Sequence, residues 1–181
     1  MVTKVTVIPR SNGAGGFTLF TPSEERLEAG MYSRRYLESQ LAVALGGRVA
    51  EEIIFGEDEV TTGASNDLQQ VRNIARRMVA QWGFAMENLG EAPVAWESPE
   101  GNGMMQPRTA SPAIEAALDA EVQKIVTAAY VKCMKTLTDN KAFLDELAEA
   151  LIDKETVDYD ELSAMRDNFQ NSLKGLAPAA A

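Results

Sequence analysis

The stretch TTGASNDLQQV, Thr61 to Val71, joins a polar turn to a helical pattern. Thr61, Thr62 and Gly63 are turn-forming types. Ser65, Asn66 and Asp67 each carry a short side-chain oxygen suited to capping a helix N-terminus. Two chemistries are open to the Asp67 carboxylate. In a first helical turn it complements the helix dipole. Beside a pocket it is an oxygen ligand for a metal ion. Upstream, Glu51 and Glu52 lie in GGRVAEEIIFG, a pattern that alone reads as a solvated helix face.

Composition narrows the chemistry sharply. The chain of 181 residues contains no histidine. An imidazole base, a histidine metal ligand and a Ser-His or Cys-His pair are therefore all excluded within it. Cys133 is the one cysteine, so neither a disulfide nor a cysteine zinc cluster can form within the chain. The charge is −10, from 27 acidic and 17 basic residues, which disfavours nucleic acid and a polybasic membrane anchor. No apolar run approaches the ~20 residues of a bilayer span. No signal or transit peptide is visible before the strand-like VTKVTVIPR.

Periodicity supplies the elements that must position these groups. Val5 and Val7 alternate with polar neighbours, and FTLF, Phe17–Phe20, reads as a second strand before Pro22. A hairpin is expected, with its second strand at an edge and Gly15-Gly16 allowing close backbone approach from outside. Four long helices are expected near Tyr32–Ile54, Asn66–Gln81, Pro112–Thr138 and Lys141–Asp153. Ser33 and Ser111-Pro112 are their start signals. Gly46-Gly47, inside the first helix, predicts close packing of another helix. Leu68, Val71, Ala75, Met78 and Trp82 form an apolar stripe, with Trp82 packed in the core. Thr156 or Asp158 caps a short last helix. The fold class is mainly α with a small N-terminal β-hairpin. One domain is expected over residues 1–172, with a mobile loop at about 95–110 and a disordered tail at 173–181. Met104-Met105 belong to that loop, and Glu24-Glu25-Arg26 to a surface turn.

The segment from IPRSNGAGGFTLF through GGRVAEEIIFGEDEVTTGASNDLQQVRNIARRMV is very similar to the peptidase domain of FtsH proteases. Those are membrane-anchored, ATP-dependent zinc metalloproteases, and the wording is like that of the cyanobacterial and chloroplast thylakoid forms. The likeness continues more loosely through DELAEALIDKETVD. It implies that Asp67 stands where the family has its third zinc ligand. It places Glu51 near the metal as a supporting group, and so partly buried. Gly16, Phe17, Thr18, Leu19 and Phe20 match the edge strand on which an extended substrate pairs. The family's HExxH helix, with two zinc ligands and a general base on one face, precedes the match to VTKVTVIPR and is absent from this sequence. The phosphate-binding loop and the transmembrane helices are absent too, and the loop from Gly101 to Ser111 lacks the family's FLGR-like segment.

These departures leave three readings. The first is a non-catalytic structural or interaction subunit of a chloroplast thylakoid complex, on the stromal side. The second is a fragment of an active FtsH-type endopeptidase in membrane protein quality control. The third is an adaptor that offers the Gly16–Phe20 edge to peptides. No cofactor is expected on this chain, since one carboxylate cannot hold zinc where three protein ligands are needed. Expected partners are FtsH-type subunits, in the family's ring of six, or a protein filling the groove that an absent helix leaves. That groove is expected to be lined by some of Val5, Val7, Leu41, Leu45, Leu68 and Val71.

Overall fold

The computed structural model describes residues 2–9, 15–21, 31–85, 87, 89, 90, 92–97 and 110–176. Its elements in chain order are β1 (Val2–Thr6), β2 (Phe17–Phe20), α1 (Arg34–Phe55), α2 (Ser65–Ala80), α3 (Pro112–Asp139), α4 (Lys141–Lys154), β3 (Thr156–Asp158) and α5 (Tyr159–Leu176). Short 3-10 turns at Glu57–Glu59 and Thr62–Ala64 join α1 to α2. The fold is mainly helical with a small sheet, as the periodicity predicts. The four long helices begin and end within two residues of their expected limits.

Two compact units emerge, Tyr32–Asp139 and the pair of segments Met1–Met31 with Asn140–Ala181. The first holds α1, α2 and α3. Leu37, Leu41, Leu45 and Val49 recur every fourth residue, so they fall on one face of α1, and all four are buried. They meet Val71, Ala75, Met78 and Val79 of α2 and Leu118, Ile125, Ala129 and Cys133 of α3. Ser33 caps α1, its hydroxyl oxygen accepting the Tyr36 N–H at 3.2 Å. Pro112 opens α3, where the Ser111 carbonyl accepts from Glu115 N at 2.9 Å.

Three expectations for this unit need correction. Gly46 and Gly47 do not mark close packing, because a Cβ built on either would meet nothing within 4 Å. Trp82 is 40% exposed and tilts against Phe84 beyond the end of α2. The helix stops at Ala80, and Gly83, with φ +60, turns the chain away before the indole can enter the core. Leu41, Leu45 and Val71 do not line an open groove, since they are buried in the three-helix core. Leu68, from the same expected lining, is exposed.

The second unit holds an antiparallel sheet in the order β2-β1-β3. Thr6 pairs with Phe17 on one side and with Thr156 on the other. The hairpin is thus extended by a third strand that the sequence pattern does not announce. Glu155, with φ 60, ends α4 and reverses the chain into β3. Its carbonyl accepts from Val7 N and from the Thr6 hydroxyl, each at 3.0 Å. Gly16 permits close approach from within the hairpin rather than from outside, because a Cβ there would collide with the Thr6 carbonyl oxygen. Asp158 caps α5, accepting from Glu161 N at 3.0 Å. That helix is not short, and it reaches Leu176, inside the segment expected to be a disordered tail. The expected surface turn at Glu24-Glu25-Arg26, Met104-Met105 and most of the 95–110 loop lie outside the described residues.

Candidate functional site

The turn that carries Asp67 is held by Glu51. The Glu51 carboxylate accepts the Thr61 N–H at 2.9 Å and the Thr61 hydroxyl at 2.9 Å. The Thr61 oxygen in turn accepts the Gly63 N–H at 3.2 Å. A Cβ on Gly63 would sit 3.2 Å from that oxygen, so the turn leaves little room for any larger residue. This relay fixes the 3-10 turn Thr62–Ala64, which runs directly into α2. Capping therefore falls to Thr61, one turn before Ser65, Asn66 and Asp67, which all lie inside the first turn of α2. The two hydrogen bonds from Thr61, backbone first and hydroxyl second, hold the Glu51 carboxyl below its ordinary range, and the positive charge of Arg48 adds to them.

Asp67 is exposed on that first turn, where its charge complements the N-terminus of α2. Glu51 is partly buried, and its contact with the Asp67 segment runs through Thr61 and Gly63. Among the described residues no three acidic or thiol side chains converge as a metal-holding group. A hydrolytic zinc site needs three protein ligands and an open position. This chain offers one carboxylate there and has no histidine. By themselves its residues do not fit a zinc centre, and no metal-dependent step follows from them.

The other expected site residues belong to the sheet unit. Phe17, Thr18, Leu19 and Phe20 form β2, an edge strand among the described residues, and Gly16 precedes it. Leu19 and Phe20 are about half exposed. One backbone edge of β2 is paired with β1, and the other faces away from the sheet.

Two polar links in the helical unit escape sequence reasoning. The Tyr130 hydroxyl donates to Glu52 at 2.6 Å, tying α3 to α1. That bond, with burial adding to it, holds the phenol above its ordinary range. Arg76 of α2 reaches Glu97 at 2.7 Å, Glu115 at 2.8 Å and Asp119 at 3.0 Å. Burial works against its charge, and the carboxylates outweigh burial, so its pKa rises. Glu115 and Asp119 are spaced to share one face of α3, which is the signal available in the sequence. No helix among the described residues is long and apolar enough to cross a membrane.

The sequence model of Peptidase family M41 matches residues 1–165. The chain is 50% identical over 175 residues to the ATP-dependent zinc metalloprotease FtsH 3 of Synechocystis, covering 95% of this chain and 28% of that protein. It is 48% identical to the chloroplastic ATP-dependent zinc metalloprotease FTSH 5 of Arabidopsis thaliana, again over 95% of this chain and 25% of the relative. Its identity to the FtsH protease of a Synechococcus strain is 41%, over 93% of this chain. The chain spans about a quarter of the length of these curated relatives.

Proposed function

The chain belongs to peptidase family M41, and we propose that it acts as a non-catalytic, structural part of an FtsH-type assembly. One observation carries this reading. The carboxylate at the family's metal position stands on an exposed turn in a chain with no histidine. The chain keeps the helical scaffold and lacks the imidazoles that the chemistry needs. Its partners in this reading are FtsH-type subunits. Its place is the chloroplast, at the stromal face of the thylakoid membrane, in keeping with the chloroplastic relatives.

The test is zinc content by atomic emission together with cleavage of fluorescent casein, on the purified chain and on its mixture with an FtsH-type hexamer. Less than one zinc per chain, no cleavage alone, and co-elution with the hexamer are expected. One tightly held zinc per chain, lost on Asp67→Ala, would overturn the reading.

A second reading is favoured by the Glu51–Thr61–Gly63 relay. Here the chain is part of an active FtsH-type endopeptidase and supplies Asp67 as one ligand, with the histidines on other sequence. The relay ties the turn that carries Asp67 to the α1 carboxylate of Glu51 through three hydrogen bonds. Cleavage restored by adding a segment with an HExxH helix would decide for it. In a third reading the half-exposed β2 edge pairs with an extended peptide without cutting it.

A further inference from the structure

A cavity of about 470 Å³ opens within the helical unit, and no residue of the Asp67 turn lines it. Its α3 side is a stripe at three- and four-residue spacing, from Glu121 through Ile125, Ala128 and Ala129 to Lys132. The facing walls come from the start of α1 and from Phe84 and Ala85 beyond α2. Ile125, Ala129 and Ala85 are buried and apolar, so they form the floor. The volume lies within the range of sites that hold small organic ligands.

The charges around this floor are settled, with one exception. Arg34 pairs with Glu38 at 2.8 Å and donates to the Phe84 carbonyl at 2.9 Å. Lys124 pairs with Glu87, and the charge of Glu121 acts on Lys124 as well. Glu121 is itself buried and has a partner. Lys132 is exposed, and among the described residues its ammonium holds neither a hydrogen bond nor an ion pair. Its helical neighbours at three and four residues are Ala128, Ala129, Lys135 and Thr136, none of them acidic. The helix from Glu121 to Lys132 spans about 16 Å, beyond the reach of an exposed charge at physiological salt. The cavity thus presents an apolar floor with an open cation at one end.

We propose that this cavity binds a medium-chain fatty carboxylate, with its head at Lys132 and its alkyl chain along the α3 floor. Ile125 lies about 10 Å along the helix from Lys132. A saturated chain advances roughly 1.3 Å per C–C bond, so about eight carbons cover that distance. The body has to be free of polar groups. A peptide on the same path would turn its amides onto Ile125, Ala128 and Ala129, whose side chains offer no partner, and unpaired amides are costly there. The nearby polar groups are engaged, for the Phe84 N–H donates to the Met78 carbonyl at 2.9 Å and the Phe84 carbonyl accepts from Arg34. A hydrocarbon chain asks for no partner and gains from burial. A head of single charge matches the single open ammonium, since a second negative charge would find no counter-charge in a lining already paired. The inference concerns binding alone and does not depend on whether the chain cleaves anything.

The experiment titrates octanoate, below its micelle-forming concentration, into the isotopically labelled full chain and follows amide chemical shifts. Saturable shifts are expected at residues 83–85 and 125–132, with a dissociation constant in the millimolar range or tighter. Each methylene added from hexanoate to octanoate should tighten binding about threefold to fourfold. Octanamide, equal in length and uncharged, should bind about tenfold more weakly. Lys132→Gln should weaken octanoate by a similar factor and leave octanamide unchanged. Ala128→Trp narrows the slot and should abolish the shifts, with far-UV circular dichroism confirming the fold. Equal binding of octanoate and octanamide overturns the proposal, as does octanoate binding that Lys132→Gln leaves unchanged. Shifts confined to the sheet unit, or no saturable shifts at all, overturn it as well.

Discussion

Glu51 accepts two hydrogen bonds from a single residue, Thr61, across the turn between α1 and α2. Because both bonds favour the ionised carboxylate, the folded-state pKa lies below the unfolded one. Such a group contributes stability above its unfolded pKa and loses it as pH falls through the lowered folded value. Protection of the Thr61 and Gly63 amides, taken relative to the intrinsic exchange rate at each pH, should therefore be high at neutral pH and fall on acidification to below the ordinary carboxylate range. Glu51→Ala should remove this pH step at those two amides. A step that survives the substitution would assign it to another group.

Arg76 predicts a larger and wider effect. It joins α2 to two carboxylates of α3 and to Glu97, while the Ala80 carbonyl accepts from Trp96 N at 2.7 Å and from Glu97 N at 3.0 Å. Arg76→Met should cost about 2 kcal/mol, as it removes charged hydrogen bonds and leaves partly buried carboxylates facing each other. Glu97→Gln should cost less, since the two α3 carboxylates keep Arg76. Urea unfolding of both variants checks the order.

The corrected core divides residues once grouped as one groove lining. Leu41 is fully buried, and Leu41→Ala should cost about 2–5 kcal/mol through lost burial and a residual cavity. Leu68 is 43% exposed, and Leu68→Ala should stay within about 0.5 kcal/mol. Thermal unfolding of the two variants separates them at once, and comparable losses would restore the groove.

The glycines give opposite signs. Gly46→Ala and Gly47→Ala fill open space on a helix and should each stabilise by about 0.5–1 kcal/mol. Gly16→Ala drives a Cβ into the Thr6 carbonyl and should weaken the hairpin. Calorimetry on the three variants tests all of these, and a loss of stability at Gly47 would point to a helix packed there by a partner.

The helices were legible because their signals are local. Ser33, Pro112 and the four-residue spacing of Leu37, Leu41, Leu45 and Val49 each define an element within a few residues of chain. β3 was not legible, because Thr156–Asp158 is too short to show alternation and is stabilised by a partner 150 residues away. Trp82 was misread because an apolar stripe says nothing about where the helix ends. At the Asp67 turn the residue types are visible in the sequence, but Ser65, Asn66 and Asp67 lie one turn beyond the residue that caps, Thr61. Thr61 does its work through Glu51, a contact that no spacing rule encodes.

The central position of β1 has a consequence for synthesis on the ribosome. Its partner on one side is β2, available early, and on the other it is β3, near the far end of the chain. The helical unit, continuous from Tyr32 to Asp139, is complete before β3 has been made. Until then β1 has one bare backbone edge, a template for any passing strand. Translation at roughly 5–20 residues per second keeps that edge open for about 7 to 27 seconds after the hairpin emerges. The order of translation thus leaves the sheet incomplete after the unit of α1, α2 and α3 has been made, and makes it the aggregation-exposed step in the birth of this protein.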